Sequence, residues 1–287
     1  FVGKELKKHC RTRNIDVITI DSLPSDDSNH IIADIRSDEL ERAIPQHADA
    51  VVHLAAISRD GDCRENPKLA FGVNVLGTLN LIDAARAREV KQFIFASTEW
   101  VYGETDGTLP QTEEQAIDVA KTQSEYALSK IVGEQNLRMA QRSGFCPVTI
   151  LRFGIIYGPR PRDWSAVEAL FHAARSEEMI SVGSLDTGRR FIHVSDIAEG
   201  ICSVIGRTEN EVFNLSGDTL VTLRDIIDES CHLLDRWPEV RETNPSSVSI
   251  RNPDNSKARS ILDWAPAMSL SDGLMTLNES SDGSGHA

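Results

Sequence analysis

Short apolar segments alternate with amphipathic segments through the first half of the chain. The apolar segments are DVITID (residues 16–21), AVVHLAA (50–56), QFIFAS (92–97) and VTILRF (148–153). Segments of this kind are typical of strands that are buried on both faces of a parallel sheet. Between them, residues 67–88 and 119–142 carry apolar side chains at helical spacing. The pattern predicts an α/β fold, a Rossmann-type doubly wound parallel sheet.

Beyond residue 158 the elements become shorter, with further strand-like segments at FIHV (191–194) and FNLS (213–216). We therefore expect a Rossmann domain over residues 1–157 to which residues 190–216 return. Residues 158–189 and 217–277 are predicted to form a smaller C-terminal lobe that binds the substrate. Residues 278–287 are polar and rich in Gly and Ser, which predicts a mobile tail. Ligands of such sheets bind at the carboxyl ends of the strands.

The charge balance limits the classes of partner. Asp and Glu total 44 against 30 Lys and Arg, a net charge of −14, which gives nucleic acid or an acidic membrane little to bind. The 5 cysteines lack metal-ligand spacing and are expected to be reduced thiols of a cytoplasmic protein. No apolar run approaches the ~20 residues that span a bilayer. We expect a cytoplasmic protein that binds no metal, nucleic acid or membrane.

The first residues have features of a dinucleotide site. FVGKELKKH reads as a helix already in progress after Gly3. In dinucleotide folds a glycine turn precedes such a helix, and an acidic residue about 20 positions later binds the adenosine ribose. Asp21 occupies that place, although a strand-ending turn residue is the alternative. No cation for a 2′-phosphate follows in residues 22–24, which favours NAD over NADP. We expect a first strand and glycine turn to precede Phe1.

Three residues could carry acid–base chemistry. Thr98 ends the strand of FASTEWVYG (95–103), and Tyr126 and Lys130 lie four residues apart in YALSK, on one helical face. A phenol is a poor base at neutral pH unless nearby cations favour its anion. With Lys130 and a nicotinamide ring beside it, Tyr126 could take the proton of a sugar hydroxyl that Thr98 holds. A Tyr and a Lys at this spacing also occur by chance in many helices.

Taken together, these motifs resemble the extended short-chain dehydrogenase/reductases, in particular the nucleotide-sugar epimerase and dehydratase family, over nearly the whole chain. FVG is similar to the end of the family's glycine turn, STEWVYG and YALSK to its catalytic motifs, and LRFGIIYGPR, RRFIHVSDIAEGI, FNLSG and RNPDNSKARSILDWAP to later landmarks. The resemblance implies an NAD-dependent enzyme with Thr98, Tyr126 and Lys130 as catalytic residues. It implies a homodimer through the helices near Asn74 and Tyr126. The cofactor-binding residues it implies are Gly3, Asp21, Asp34, Ile35, Leu54, Ala55, Ala56, Asn74, Tyr126, Lys130 and Phe153.

The substrate contacts are less regular. Arg189 and Arg251 match positions that commonly contact the nucleotide diphosphate, and Arg forks suit phosphate. Trp100 stands where family dehydratases and decarboxylases usually carry a Glu, and Ile155 where many members have an Asn. Glu99 resembles the acid of some 4,6-dehydratases and is a candidate catalytic residue, with a solvated or cofactor-adjacent carboxylate as the alternative.

These observations leave several functions open. We expect an NAD-dependent nucleotide-sugar epimerase, with C4 as the position, that acts by transient oxidation to a keto-sugar. The alternatives are a 4,6-dehydratase with Glu99 as acid, and a keto-sugar reductase. A protein of the same fold that senses NAD without turnover is the remaining reading.

Overall fold

The computed structural model describes residues 1–103, 105, 109–161 and 164–282. The strands in chain order are β1 Thr19–Asp21, β2 His30–Ile32, β3 Val51–His53, β4 Phe93–Thr98, β5 Val148–Phe153, β6 Ile156–Tyr157, β7 Met179–Val182, β8 Gly188–Arg189, β9 Ile192–His193, β10 Glu211–Leu215, β11 Val221–Thr222 and β12 Glu239–Glu242. The α-helices are α1 Val2–Thr12, α2 Leu40–Ala43, α3 Asp60–Glu65, α4 Pro67–Phe71, α5 Gly77–Ala87, α6 Glu125–Arg142, α7 Ala166–Ser176, α8 Val194–Val204, α9 Leu223–Leu234, α10 Ser256–Leu262 and α11 Leu270–Asp282.

The central sheet is parallel throughout, with strand order β10-β5-β4-β3. Strands β4 and β5 are almost wholly buried because helices cover both faces, as their continuous apolar sequences predict. In their register Thr98 lies opposite Phe153, so both strands end at the same edge. The predicted doubly wound α/β fold is confirmed.

A second parallel pair, β1 and β2, makes no ladder with β3 among the described residues. The strand predicted over residues 16–21 is shorter than expected and begins at Thr19, the first residue that pairs with β2. The pair nevertheless belongs to the Rossmann core, because Ile20, Ala33 and Ile35 pack against the same apolar cluster as Val51 of β3.

Helices cover the two sheet faces. Helices α1 and α8 pack together on one face, where Leu6 and Cys10 meet Ile197 and Ile201. Helices α5 and α6 cover the other face through Leu81 and Leu137, among others.

Two long helices were predicted from the spacing of apolar residues, and the structure agrees more closely with the first than with the second. Residues 67–87 are helical without a break, because a π-helical turn, Gly72–Leu76, joins α4 to α5. Of the helix predicted from residue 119, Val119–Lys121 form a short 3-10 helix, and the α-helix α6 begins only at Glu125. Ser124 is extended (φ −133°) and its hydroxyl accepts a hydrogen bond from the Ala127 amide, so Ser124 caps the helix there.

The C-terminal lobe has its own core between α7, α9 and α11, and the β7–β12 pair lies beside it. The predicted boundary at residues 217–277 needs one correction. Ala258 of α10 and Trp264 pack in the core under α1 and α8, and the Trp264 indole donates to the Asp196 carbonyl. That segment belongs to the Rossmann half.

A second correction concerns the predicted tail. Helix α11 continues to Asp282, so residues 278–282 are helical and only 283–287 lie outside the described residues. Of the helices in the described part of the chain, none has the length and apolar character needed to cross a membrane.

Candidate active site

The predicted catalytic residues meet at the carboxyl end of β4. Thr98 is the last residue of that strand, and its hydroxyl accepts a hydrogen bond from the Trp100 amide at 3.3 Å. The Tyr126 side chain, in the first turn of α6, hydrogen-bonds to the side chain of Thr98. The two side chains therefore meet at one point, where a substrate oxygen could contact both of them.

Lys130 completes the group from one turn further along α6. Its ammonium donates to the Ala96 carbonyl at 2.8 Å and lies 4.9 Å from the Phe95 ring centre and 5.8 Å from that of Tyr126. The structure thus brings Thr98, Tyr126 and Lys130 together.

Burial is the main cause of the pKa shifts of Tyr126 and Lys130. It raises the pKa of Tyr126, an effect that the hydrogen bond from Thr98 opposes. It lowers the pKa of Lys130 to about 8, against the opposing charges of Cys63 and Glu134. Because the phenol is held in its neutral form, Tyr126 needs further positive charge before it can act as a base near pH 7. A bound nicotinamide ring would supply such charge.

The start of α1 fits a dinucleotide. No side chain caps this helix, so its first amides are placed to bind a diphosphate. A Cβ added at Gly3 would lie 3.8 Å from Leu54, which places the glycine next to the loop after β3. Asp21 ends β1 and is exposed, and its carboxylate accepts one hydrogen bond, from the Leu23 amide at 3.0 Å. It retains acceptor capacity for ribose hydroxyls.

The Asp34–Ile35 turn is fixed by α5. Asn80 donates to the carbonyls of Ile35 and Ser37, both at 2.8 Å, and a Cβ on Gly77 would lie only 2.7 Å from the Ile35 side chain. The Arg36 guanidinium binds the Asp34 carboxylate through two hydrogen bonds and lowers its pKa to about 2. These contacts fix the conformation of the turn, and the lowered pKa keeps the Asp34 carboxyl group ionised.

Asn74 fixes the loop after β3 through its side-chain hydrogen bonds. Its amide accepts from the Ile57 amide (2.8 Å) and donates to the Ile57 carbonyl (2.9 Å) and the Ser129 hydroxyl (3.0 Å). The loop that contains Leu54, Ala55 and Ala56 is thereby tied to α6. Asn74, 2% exposed, therefore positions this loop through its side-chain bonds.

A cleft of about 510 Å³ opens beside α6, lined there by Ser124 and Ala127, the neighbours of Tyr126. The charged residues that line it are Arg64, Lys121, Arg189, Arg251 and Asp60. Among the residues that the structure describes, four cations face one carboxylate in a chain of net charge −14, which gives a local basic site suited to an anionic substrate.

Glu99 lies near Arg189 and Arg251 and is 0% exposed. Neither of its carboxylate oxygens has a hydrogen-bond partner among the described residues, and Arg189 Nε is 3.9 Å from Oε1. Burial raises the pKa of Glu99 to about 7, although Arg251 and Arg189 oppose the shift. Trp100 lines the cleft instead, with its indole 4.1 Å from the Arg251 guanidinium.

A comparison with protein families shows to which family this chain belongs. Residues 1–216 match the model of the NAD dependent epimerase/dehydratase family. The chain belongs to this family. It is therefore an NAD-dependent enzyme, and the resemblance drawn from its motifs is confirmed.

Relatives of this epimerase/dehydratase act on nucleotide sugars, according to their names. It is 28% identical over 289 residues to a Methanocaldococcus jannaschii protein provisionally named UDP-glucose 4-epimerase, covering 96% of this chain and 93% of the relative. It is 28% identical to the UDP-glucuronate 4-epimerase of Thermodesulfobacterium geofontis, covering 78% of this chain and 70% of the relative. The solved UDP-glucose 4-epimerase of Thermus thermophilus in complex with NAD superimposes with a TM-score of 0.85, at 26% identity, over 99% and 96% of the two chains.

One buried ion pair of this chain was not predicted from the sequence motifs. Glu134 of α6 binds Arg152 of β5, and Arg152 also donates to the Tyr102 hydroxyl at 3.0 Å. The sequence feature that could have indicated this pair is the charged Arg152 inside the otherwise apolar segment VTILRF. In the part of the chain that the structure describes, no cluster of His, Cys, Asp or Glu could hold a metal ion.

Proposed function

We propose that this enzyme is a nucleotide-sugar epimerase that inverts the C4 carbinol of the sugar. The observation that carries the proposal is the hydrogen-bonded pair of Tyr126 and Thr98, with Lys130 beside it, at the edge of a cleft rich in cations. A sugar hydroxyl that replaces the Thr98–Tyr126 contact would meet a base and a donor at one oxygen.

Each of the three residues has a distinct task. Tyr126 takes the hydroxyl proton and later returns it, Thr98 orients the oxygen, and Lys130 provides the positive charge that favours the phenolate. NAD, when bound, would supply the reversible hydride acceptance at the same carbon that this oxidation and reduction require. Gly3, Asp21, Asp34, Ile35, Leu54, Ala55, Ala56, Asn74 and Phe153 are proposed to form or support the NAD site.

The nucleotide diphosphate is proposed to bind through Arg189 and Arg251. Arg189 is held by the Ser249 carbonyl at 2.6 Å and the Ser249 hydroxyl at 2.9 Å, and Arg251 stacks on Trp100. Both guanidinium groups line the cleft in a fixed orientation, which favours binding of phosphate oxygens. Because the relatives are named for UDP-sugars, we propose UDP as the nucleotide.

A 4,6-dehydratase is the second candidate, because Glu99, with its pKa of about 7, could serve as an acid. Two features favour epimerisation. Both Glu99 carboxylate oxygens are buried, and Trp100 has no group that can take a proton from carbon.

The homodimer that the family resemblance implies is also part of the proposal. Leu69, Leu76, Leu79 and Met139 lie on α4, the π-helical turn, α5 and α6, and are between 39% and 63% exposed. Such side chains on adjacent helices favour burial against a second copy. Light scattering of wild type and Leu76→Glu tests this: a dimer should become a monomer in the variant.

We further propose a reducing compartment, the cytoplasm. All 5 cysteines are free, and 4 of them are buried. Burial raises the pKa of Cys63 and Cys146 to about 11, which keeps these thiols unreactive.

The reaction is tested by incubating the protein, with and without added NAD, with UDP-, GDP-, CDP- and dTDP-sugars, followed by NMR and mass spectrometry. A product of unchanged mass with inverted C4 supports the proposal. A product that has lost one water makes the enzyme a dehydratase. A protein that binds NAD but converts none of the sugars would exclude epimerisation of this substrate class.

A further inference from the structure

Beneath the catalytic residues lies a buried ion pair that the reaction scheme does not use. Glu134, on α6, is 0% exposed and accepts hydrogen bonds from Arg152 Nε at 3.0 Å and Nη2 at 2.8 Å. The Ser97 hydroxyl donates to the same carboxylate at 2.6 Å. None of the three lines the substrate cleft. Two charges removed from water carry a large desolvation cost, so the pair calls for a physical explanation.

The pair joins the three elements that carry the catalytic residues. Ser97 and Arg152 lie opposite each other in the β4–β5 ladder, one residue before Thr98. Glu134 lies one turn after Lys130 on the same face of α6. Its carboxylate therefore fixes the end of β4 and the helix of Tyr126 and Lys130 in one arrangement.

The position of the carboxylate is itself fixed by its partner. Arg152 Nη1 donates to the Tyr102 hydroxyl at 3.0 Å, and that hydroxyl donates to Asn214 Oδ1 at 2.7 Å. Among the described residues, Arg138, 3.8 Å away and 40% exposed, and Lys130 are the other cations that face Glu134.

The charge of Glu134 acts on Lys130. Burial lowers the pKa of Lys130 to about 8, and the charges of Cys63 and Glu134 oppose that shift. Burial also raises the pKa of the Cys63 thiol to about 11, so Cys63 carries no charge near pH 7. His53 faces the same ammonium and is neutral there, since burial and Lys130 lower its pKa to about 3. Glu134 is thus the anion that stabilises the Lys130 cation near neutrality.

We propose that Glu134, held by Arg152, is a positioning residue that keeps Lys130 in its cationic form while Tyr126 exchanges its proton with the substrate. The proposal rests on the proposed role of Lys130. It adds a residue that is not among those lining the cleft.

The test is the pH dependence of kcat. In Glu134→Gln the side chain can still accept from Ser97, but Lys130 loses its anion and releases its proton at lower pH. We expect the alkaline limb of kcat to move about one pH unit towards acid, with the KM for the sugar unchanged. Because this variant leaves Arg152 buried without a counter-charge and can fail to fold, the double variant Glu134→Gln with Arg152→Gln is measured alongside.

Glu168→Gln provides the matched control. Glu168 is 1% exposed and pairs with Arg160, but it lies in the lobe rather than on α6. We expect its kcat profile to keep the wild-type shape. If the Glu134 variants lose activity uniformly with an unshifted profile, the pair is structural only and the proposal is wrong. Full activity of Lys130→Met would instead overturn the proposed role of Lys130.

Discussion

Lys130 Nζ donates a hydrogen bond to the carbonyl oxygen of Ala96 over 2.8 Å. This bond ties α6 to β4 two residues before Thr98. The ammonium cannot turn away from Tyr126 without breaking a buried hydrogen bond, so helix, strand and cation form one unit. The site therefore depends on backbone placement as much as on the identity of its side chains.

Replacing Tyr126 by Phe removes the proposed base and leaves the ring. We expect kcat to fall about 10²- to 10⁴-fold, the usual contribution of a positioned acid–base group. Binding of NAD, followed by calorimetry, should persist. An unchanged turnover would remove Tyr126 from the reaction, and a protein whose biological effect survives the change would support the NAD-sensing alternative.

Arg251→Lys keeps the charge but loses the planar fork that stacks 4.1 Å from Trp100. We expect the KM for the nucleotide sugar to rise about tenfold, with a smaller change in kcat. Steady-state kinetics at fixed ionic strength measures both. Arg241→Lys, on the exposed strand β12, is the matched control and should leave KM unchanged. Equal KM values for the two variants would place the diphosphate elsewhere.

Glu99 should make stability depend on pH. Its pKa rises from 4.5 to about 7 on folding, so the native state holds a proton that the unfolded state releases between these values. The contribution is present in full below pH 4.5 and is lost as pH rises through 7, on the order of 3 kcal/mol. Urea unfolding of wild type and Glu99→Gln at pH 5 and pH 8 measures it. Parallel stability curves for the two proteins would contradict the prediction.

Two glycines allow packing at the Asp34–Ile35 turn to be distinguished from general effects on helix stability. An Ala at Gly77 would place its Cβ 2.7 Å from the Ile35 side chain, so the turn must shift and NAD binding should weaken several-fold. An Ala at Gly72 meets nothing within 4 Å and should leave the NAD Kd unchanged. Fluorescence titration with NAD compares them. A weaker Kd in both variants would assign the effect to helix propensity instead.

The sequence predicted those features that depend on local pattern. Residues 148–153 form β5 as expected, because a strand buried on both faces needs an unbroken apolar run. The catalytic motifs lie at a strand end and on one helical turn, so spacing alone brings Tyr126 and Lys130 together. Residues 122–124 were wrongly assigned to a continuous helix because the apolar Val119 continues the spacing. Residues 119–121 form a separate 3-10 helix, and Ser124 caps α6 from an extended conformation.

Tertiary relationships were not predictable in this way. The partner of Arg152 lies 18 residues earlier on another element, and no local pattern pairs the two. Trp264 was assigned to the lobe by its position in the chain, but its indole packs beside Gly200, where a Cβ would lie within 3.2 Å of it. Such contacts depend on how elements cross in space.

The hydrogen bonds of Asn74 connect the loop after β3 to the helix that carries Tyr126. Its amide joins Ile57 to Ser129, and the Ser129 hydroxyl in turn donates to the Tyr126 carbonyl at 2.7 Å. If this loop binds the dinucleotide as proposed, a displacement of the loop would be transmitted, through three hydrogen bonds, to the backbone of Tyr126. Binding of the cofactor and alignment of the proposed base would then be mechanically coupled.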